Sequence, residues 1–123
     1  MKIELINIDN VIPYAGNPRK NEMAISKVAA SIKEFGFRQP IVVDTENVVI
    51  AGHTRLMAAK ALGLLEVPVH IAEGLSPSQI KAYRIADNRA AERSEWDDEL
   101  LKIELGDLES SGFNLDLTGF NAD

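Results

Sequence analysis

Apolar and polar residues alternate by twos at the start of this chain and recur by threes and fours soon after, and that change of period divides it into elements. Ile3-Glu4-Leu5-Ile6-Asn7-Ile8 has the alternation of a half-buried strand. Asp9 is placed to cap a short turn through Asn10, Val11 and Ile12, Pro13 interrupts it, and Tyr14 to Lys20 carries the Gly, Asn and Pro of an irregular loop. Beyond Asn21, a plausible cap, Ile25, Val28, Ala29, Ile32 and Phe35 fall on one stripe, which predicts an amphipathic helix from Glu22 to Phe35 stopped by Gly36. The runs Ile41 to Asp44 and Val48 to Ala51, separated by Thr45-Glu46-Asn47, predict a β-hairpin. Gly52 follows, then an alanine-rich helical stretch that ends at Gly63.

Further on, Val67 to Ile71 reads as a strand whose Pro68 points to an edge or a strand start. Ser76-Pro77-Ser78-Gln79 combines a capping serine, proline at the first helical position and glutamine three residues after the cap, so a helix should run to about Ala91. Its apolar stripe is Ile80, Tyr83 and Ala86. Ser94-Glu95-Trp96-Asp97 opens another helix, with Leu100, Leu101, Leu105 and Leu108 as its buried residues, weakened at Gly106 and stopped at Gly112. The alternation from Phe113 to Phe120 predicts an end that packs on something, or a segment of a longer polypeptide continuing past Asp123. Together the elements predict an α+β fold: a small mixed β-sheet flanked by helices over residues 1–91, followed by a helical appendage over 92–123.

Charge sharpens that division. The chain has 123 residues, 46% hydrophobic and 26% charged, the size and mixture of one globular domain. Its net charge of −6 hides an asymmetry: residues 1–91 hold 11 Lys and Arg against 9 Asp and Glu, whereas residues 92–123 hold 2 against 10. A mildly basic core thus carries an acidic appendage, which could cover the core, face a partner or be a solvated surface. Such a balance argues against a free-standing, non-specific DNA binder. The absence of cysteine removes disulfides, thiolate metal sites and thiol chemistry, and His53 and His70 are too far apart in sequence to look like a zinc pair. Apolar runs are too short to cross a bilayer and the amino terminus lacks a signal-peptide core, so a cytoplasmic protein without membrane contact is expected.

The candidate chemistry lies at Ala51-Gly52-His53-Thr54-Arg55, where a strand passes through a tight turn into a helix. The first amides of a helix lack intrahelical partners and carry the positive end of its dipole, so an anion can sit there. Gly52 permits close approach, Thr54 can cap the helix or bind an oxygen, and Arg55 can fork onto a phosphate. The bland alternative keeps Thr54 as a cap and Arg55 as the partner of a nearby acid. The missing second glycine and lysine exclude a Walker A loop. In the hairpin, Arg38 and Gln39 enter one strand at the end of the sheet where Gly52 leaves the other, so the two are expected to share a site. Arg19 and Lys20 read locally as exposed loop cations. Asp87 and Asn88 could coordinate Mg²⁺ and Arg89 neutralise phosphate, or all three could be a helical surface.

Taken in order, Asn17-Pro18-Arg19, Ser31 to Val43, Ile50 to Ala59 and Val67-Pro68-Val69 resemble the amino-terminal domain of the ParB partition proteins, over roughly residues 3–90. The resemblance implies the ParB/sulfiredoxin-like fold and a site for a nucleoside triphosphate, CTP or ATP, with Mg²⁺. Its Gly-x-x-Gln-Pro element falls on Gly36, Gln39 and Pro40. The phosphate-binding box falls on Gly52, His53, Thr54 and Arg55, and the metal-associated Glu-Asn pair on Asp87 and Asn88. Arg38 would flank the phosphates and Arg19 reach the same pocket. Three features depart from the family: His53 stands where the box has glutamate, Thr54 where it has its first arginine, and Arg89 directly follows Asn88 where the family's arginine comes three places on. Sulfiredoxin activity is excluded, because its catalytic cysteine would occupy this turn.

The segments Ala86 to Arg89, Ser94 to Asp97 and Leu117 to Phe120 are similar to a subgroup in which this domain precedes a DNA methyltransferase, often in phage or mobile elements. No helix-turn-helix is legible in the acidic end. The implied role is a nucleotide-binding, DNA-associated regulatory module that reaches DNA through another domain or chain, with a homodimer left open. A metal-dependent nuclease or nucleotide-dependent kinase using the same pocket, and a non-enzymatic docking module, are the competing readings.

Overall fold

A computed structural model of the chain describes residues 1–15, 22–92 and 97–118. The elements, in order, are β1 (Glu4–Asn7), α1 (Glu22–Phe35), β2 (Ile41–Val43), β3 (Val49–Ala51), α2 (His53–Ala61), β4 (Glu66–Ile71), α3 (Pro77–Glu92) and α4 (Asp98–Ser110), with short 3-10 turns at Ile8–Asn10 and Leu115–Thr118. The strands form one mixed sheet in the order β1-β4-β2-β3. The outer pairs are antiparallel and β2 runs parallel to β4. The α+β architecture expected from the pattern is therefore the one observed.

Periodicity explains the core. Ile41 and Val43 on β2 and Val67 and Val69 on β4 alternate onto one face and are fully buried with Leu56 of α2. Burying each such side chain contributes about 1.5–3 kcal/mol. The stripe predicted for α1 rests on this layer less deeply: Ile25, Val28, Ala29 and Ile32 are half-buried, and Phe35 is exposed on one side but stacked on Phe113, with ring centroids 6.1 Å apart. That contact, with Leu115 buried to 9% exposure, folds the acidic end back onto α1.

Where the structure differs from the pattern, a local cause is visible. Asn7, not Asp9, caps the first turn, its Oδ1 accepting from the Asp9 N–H at 2.9 Å. β4 is an interior strand despite Pro68, because pairing with β2 begins at Val69, and a proline one residue earlier removes no donor from that ladder. On α4, Leu101, Leu105 and Leu108 turn inward but Leu100 is 55% exposed. On α3, Tyr83 and Ala86 are exposed, and the side docked on the sheet is that of Ile80 and Arg84.

The capping signals read as expected. Ser76 Oγ accepts from the Gln79 N–H at 3.1 Å, and Gln79 Oε1 accepts from the Ser76 N–H at 2.8 Å, closing both halves of the box. Asp97 Oδ1 accepts from the Leu100 N–H at 3.1 Å at the start of α4. Asn21, Ser94, Glu95 and Trp96, also read as helix-start residues, lie outside the described residues.

Candidate functional site

β3 hands the chain to α2 through Gly52, whose φ of +100° is left-handed and which begins the helix with no side-chain cap. Thr54 is thus the second residue of the helix and not its cap. The Gly52 carbonyl accepts from the Leu56 N–H at 3.0 Å, so the first turn is closed and its leading amides face the turn. A Cβ on Gly52 would stand 3.2 Å from Arg55 Nη2 and 3.3 Å from both Arg55 Nε and the Ile41 Cα. Glycine is required here twice, for its backbone angle and because the Arg55 guanidinium folds over the space a side chain would fill.

Arg55 is also where the hairpin meets the turn. Its Nη1 donates to Gln39 Oε1 at 2.8 Å, so the shared end of the sheet expected for Gln39 and Gly52 is present. Gly36, Arg38, Gln39 and Arg55 line one cleft of about 290 Å³, closed on its far side by Val28, Ile32 and Phe35 of α1. Arg38 is exposed there, with its Nε donating to the Phe35 carbonyl at 2.7 Å. Gly36, at φ +86°, ends α1 and turns the chain towards the cleft. Gly52, His53 and Thr54 are not among its lining residues, and the Arg55 side chain covers Gly52. Arg19 lies outside the described residues.

Two buried side-chain atoms at this turn have no hydrogen-bond partner: His53 Nδ1 and Arg55 Nε. Leaving such groups unpaired costs about 1–3 kcal/mol each, which a polar ligand would offset. Burial pushes the Arg55 pKa down, an effect opposed by the charge of Asp87. Asp87 is exposed on α3 and is not among the residues that line the cleft. The side chain of Asn88 lies outside the described atoms. Burial also lowers the pKa of His53, and the positive charge of Lys60 lowers it further, favouring the neutral imidazole.

Sequence reasoning missed Arg84. Its Nε donates to the Val49 carbonyl at 3.0 Å, its Nη2 lies 3.8 Å from Asp44 Oδ2, and its guanidinium carbon lies 3.9 Å from the centre of the Tyr14 ring. The signal was present in the spacing Ile80, Arg84, Asp87, a helical stripe that a search confined to apolar residues passes over.

A small α+β domain whose edge strand β3 delivers a glycine turn, an arginine and an uncapped helix is a class defined by that junction. Residues 1–88 match the model of the ParB N-terminal domain, and the chain belongs to that family. Residues 99–123 match the ParB-methyltransferase HTH domain, so the acidic end carries a helix-turn-helix signature where none was legible by eye. The chain is 36% identical over 80 residues to the ParB-like nuclease domain-containing protein YnaK of Escherichia coli, covering 64% of this chain and 92% of that protein. It is 39% identical over 89 residues to a probable chromosome-partitioning protein ParB of Campylobacter jejuni, covering 68% of this chain but only 32% of the relative.

Among solved structures, the C-terminally truncated ParB of Caulobacter crescentus complexed with CTP-γ-S superposes with a TM-score of 0.74 at 22% identity, over 98% of this chain and 73% of the other. Sulfiredoxin of Arabidopsis thaliana superposes with a TM-score of 0.57 at 20% identity, over 68% of this chain and 97% of the other. The fold is the ParB/sulfiredoxin one. Among the described residues no helix is long and apolar enough to cross a membrane.

Proposed function

We propose that this chain is a nucleotide-responsive, DNA-associated regulatory domain in which the turn from Gly52 to Arg55 holds the phosphates of a nucleoside triphosphate. The observation that carries this reading is the pair of unpartnered buried atoms, His53 Nδ1 and Arg55 Nε, beside a helix start with no side-chain cap. Both would donate to an anion that displaced the side chains covering them, given the Nδ1–H tautomer of His53. The CTP-γ-S complex of the Caulobacter protein supports the choice of CTP as first ligand to test.

Each residue then has a chemical part. The α2 amides and Arg55 bind phosphate oxygens, Gln39 holds the guanidinium in place, and Arg38 supplies a second cation at the mouth of the cleft. Asp87 with Asn88 would hold Mg²⁺, which neutralises phosphate charge and lets an acid stand near an anion. Arg19 belongs to the same site in this reading. DNA would be reached through the helix-turn-helix segment, a downstream methyltransferase or a second copy of the chain.

Isothermal titration with CTP, ATP and GTP, with and without Mg²⁺, tests this. CTP with Mg²⁺ should give saturable heat, weakened at least about tenfold by Arg55→Ala, the loss of a charge-assisted hydrogen bond. No heat with any nucleotide ends the proposal. The similarity to a ParB-like nuclease domain-containing protein of Escherichia coli favours one second reading, a nuclease. Plasmid cleavage by the wild type that is lost in Asp87→Ala would establish it.

A further inference from the structure

We propose that Arg84 is a positioning residue, a latch that fixes α3 on the sheet and so sets the Asp87 carboxylate against Arg55. A guanidinium is costly to bury unless its donors are used. The side chain of Arg84 is only 14% exposed and that of its partner Asp44 only 16%. Its partners come from separate parts of the fold: the Val49 carbonyl on β3, Asp44 at the hairpin, and the Tyr14 ring in the loop before α1. Asp44 divides its two oxygens. Oδ1 accepts from the Glu46 and Val48 N–H groups at 2.8 and 3.0 Å and ties the hairpin turn, while Oδ2 faces Arg84.

The latch bears on the site through geometry. Val49 lies on the short strand that delivers Gly52, and Asp87 follows Arg84 by three residues, on the same side of α3. Fixing Arg84 to Val49 therefore fixes the face of α3 that carries Asp87 relative to the strand that leads into Gly52 and Arg55. Without the latch, α3 could shift and carry its carboxylate away from the turn. The effect on the site rests on the proposed anion binding; the docking of α3 does not.

The two parts are tested separately. Amide hydrogen exchange of the full chain should show residues 77–92 exchanging at least tenfold faster in Arg84→Ala than in wild type, with β2 and α2 unchanged, and a smaller effect of the same pattern in Asp44→Asn. Unchanged exchange of α3 in both variants overturns the latch. For the positioning role, inorganic triphosphate is titrated into wild type, Asp87→Asn, Arg84→Ala and the double variant. Asp87→Asn should change the affinity severalfold in the wild-type background and leave it unchanged when Arg84 is absent. An equal effect in both backgrounds overturns the positioning role. Failure of wild type to bind triphosphate at all would remove the anion site and the positioning role together, while leaving the exchange result to decide the latch.

Discussion

At Gly52 a left-handed backbone and a guanidinium packed against the missing side chain coincide, so substitution should be felt in both folding and binding. Gly52→Ala should cost about 1–2 kcal/mol for the backbone alone, read as a lower urea midpoint, and should displace Arg55 from Gln39. His53 makes a prediction of a different kind. Its folded pKa lies below the usual imidazole value of 6.5, first through burial and then through Lys60, so near that value the unfolded chain binds more protons than the folded one. Stability contributed by the neutral ring is present above pH 6.5 and lost as pH falls through the lower folded pKa. NMR titration should place the His53 pKa below the usual value and move it up in Lys60→Ala. A His53 pKa at or above 6.5 in wild type would contradict the burial described here.

Among the elements, those announced by caps and stops were legible from residues alone. The bounds of α1 match the stripe from Glu22 to Phe35, and the Ser76 box marks the start of α3. Ser76→Ala should cost about 1 kcal/mol, within the usual range for a lost cap. What the residues could not disclose was set by packing between elements. Pro68 marks an edge only when the neighbouring ladder on that side needs the N–H it lacks, and β2 pairs too late to need it. Arg84 was passed over because its partners, Val49, Asp44 and Tyr14, are remote in sequence. The site was half legible: Gly36, Arg38, Gln39 and Arg55 do gather at one cleft, whereas the folding of Arg55 over Gly52 depends on side-chain packing that no spacing reveals. The helix-turn-helix signature escaped for a compositional reason, since 10 acids among residues 92–123 conceal the pattern expected of a DNA reader.

In the whole molecule, a thin core supports a site built at its margin. Leu56 is fully buried one residue after Arg55, so the first turn of α2 is anchored by the core and presents its polar residues at the core's edge. Leu56→Ala should cost about 2–5 kcal/mol, a large share of the roughly 5–15 kcal/mol available to a domain, and should lower the thermal midpoint sharply. The acidic end stacks Phe113 on Phe35, beside the cleft, so residues matching the helix-turn-helix model are in contact with the same helix that walls the candidate site. The central claim is that the α2 turn accepts phosphate oxygens. It is tested most directly by following ¹⁵N amide and Arg Nε resonances while inorganic triphosphate is added. The account predicts saturable shifts concentrated at Gly52, His53, Thr54, Arg55 and the Arg55 side chain. Shifts absent there, or confined to residues 97–118, would contradict it.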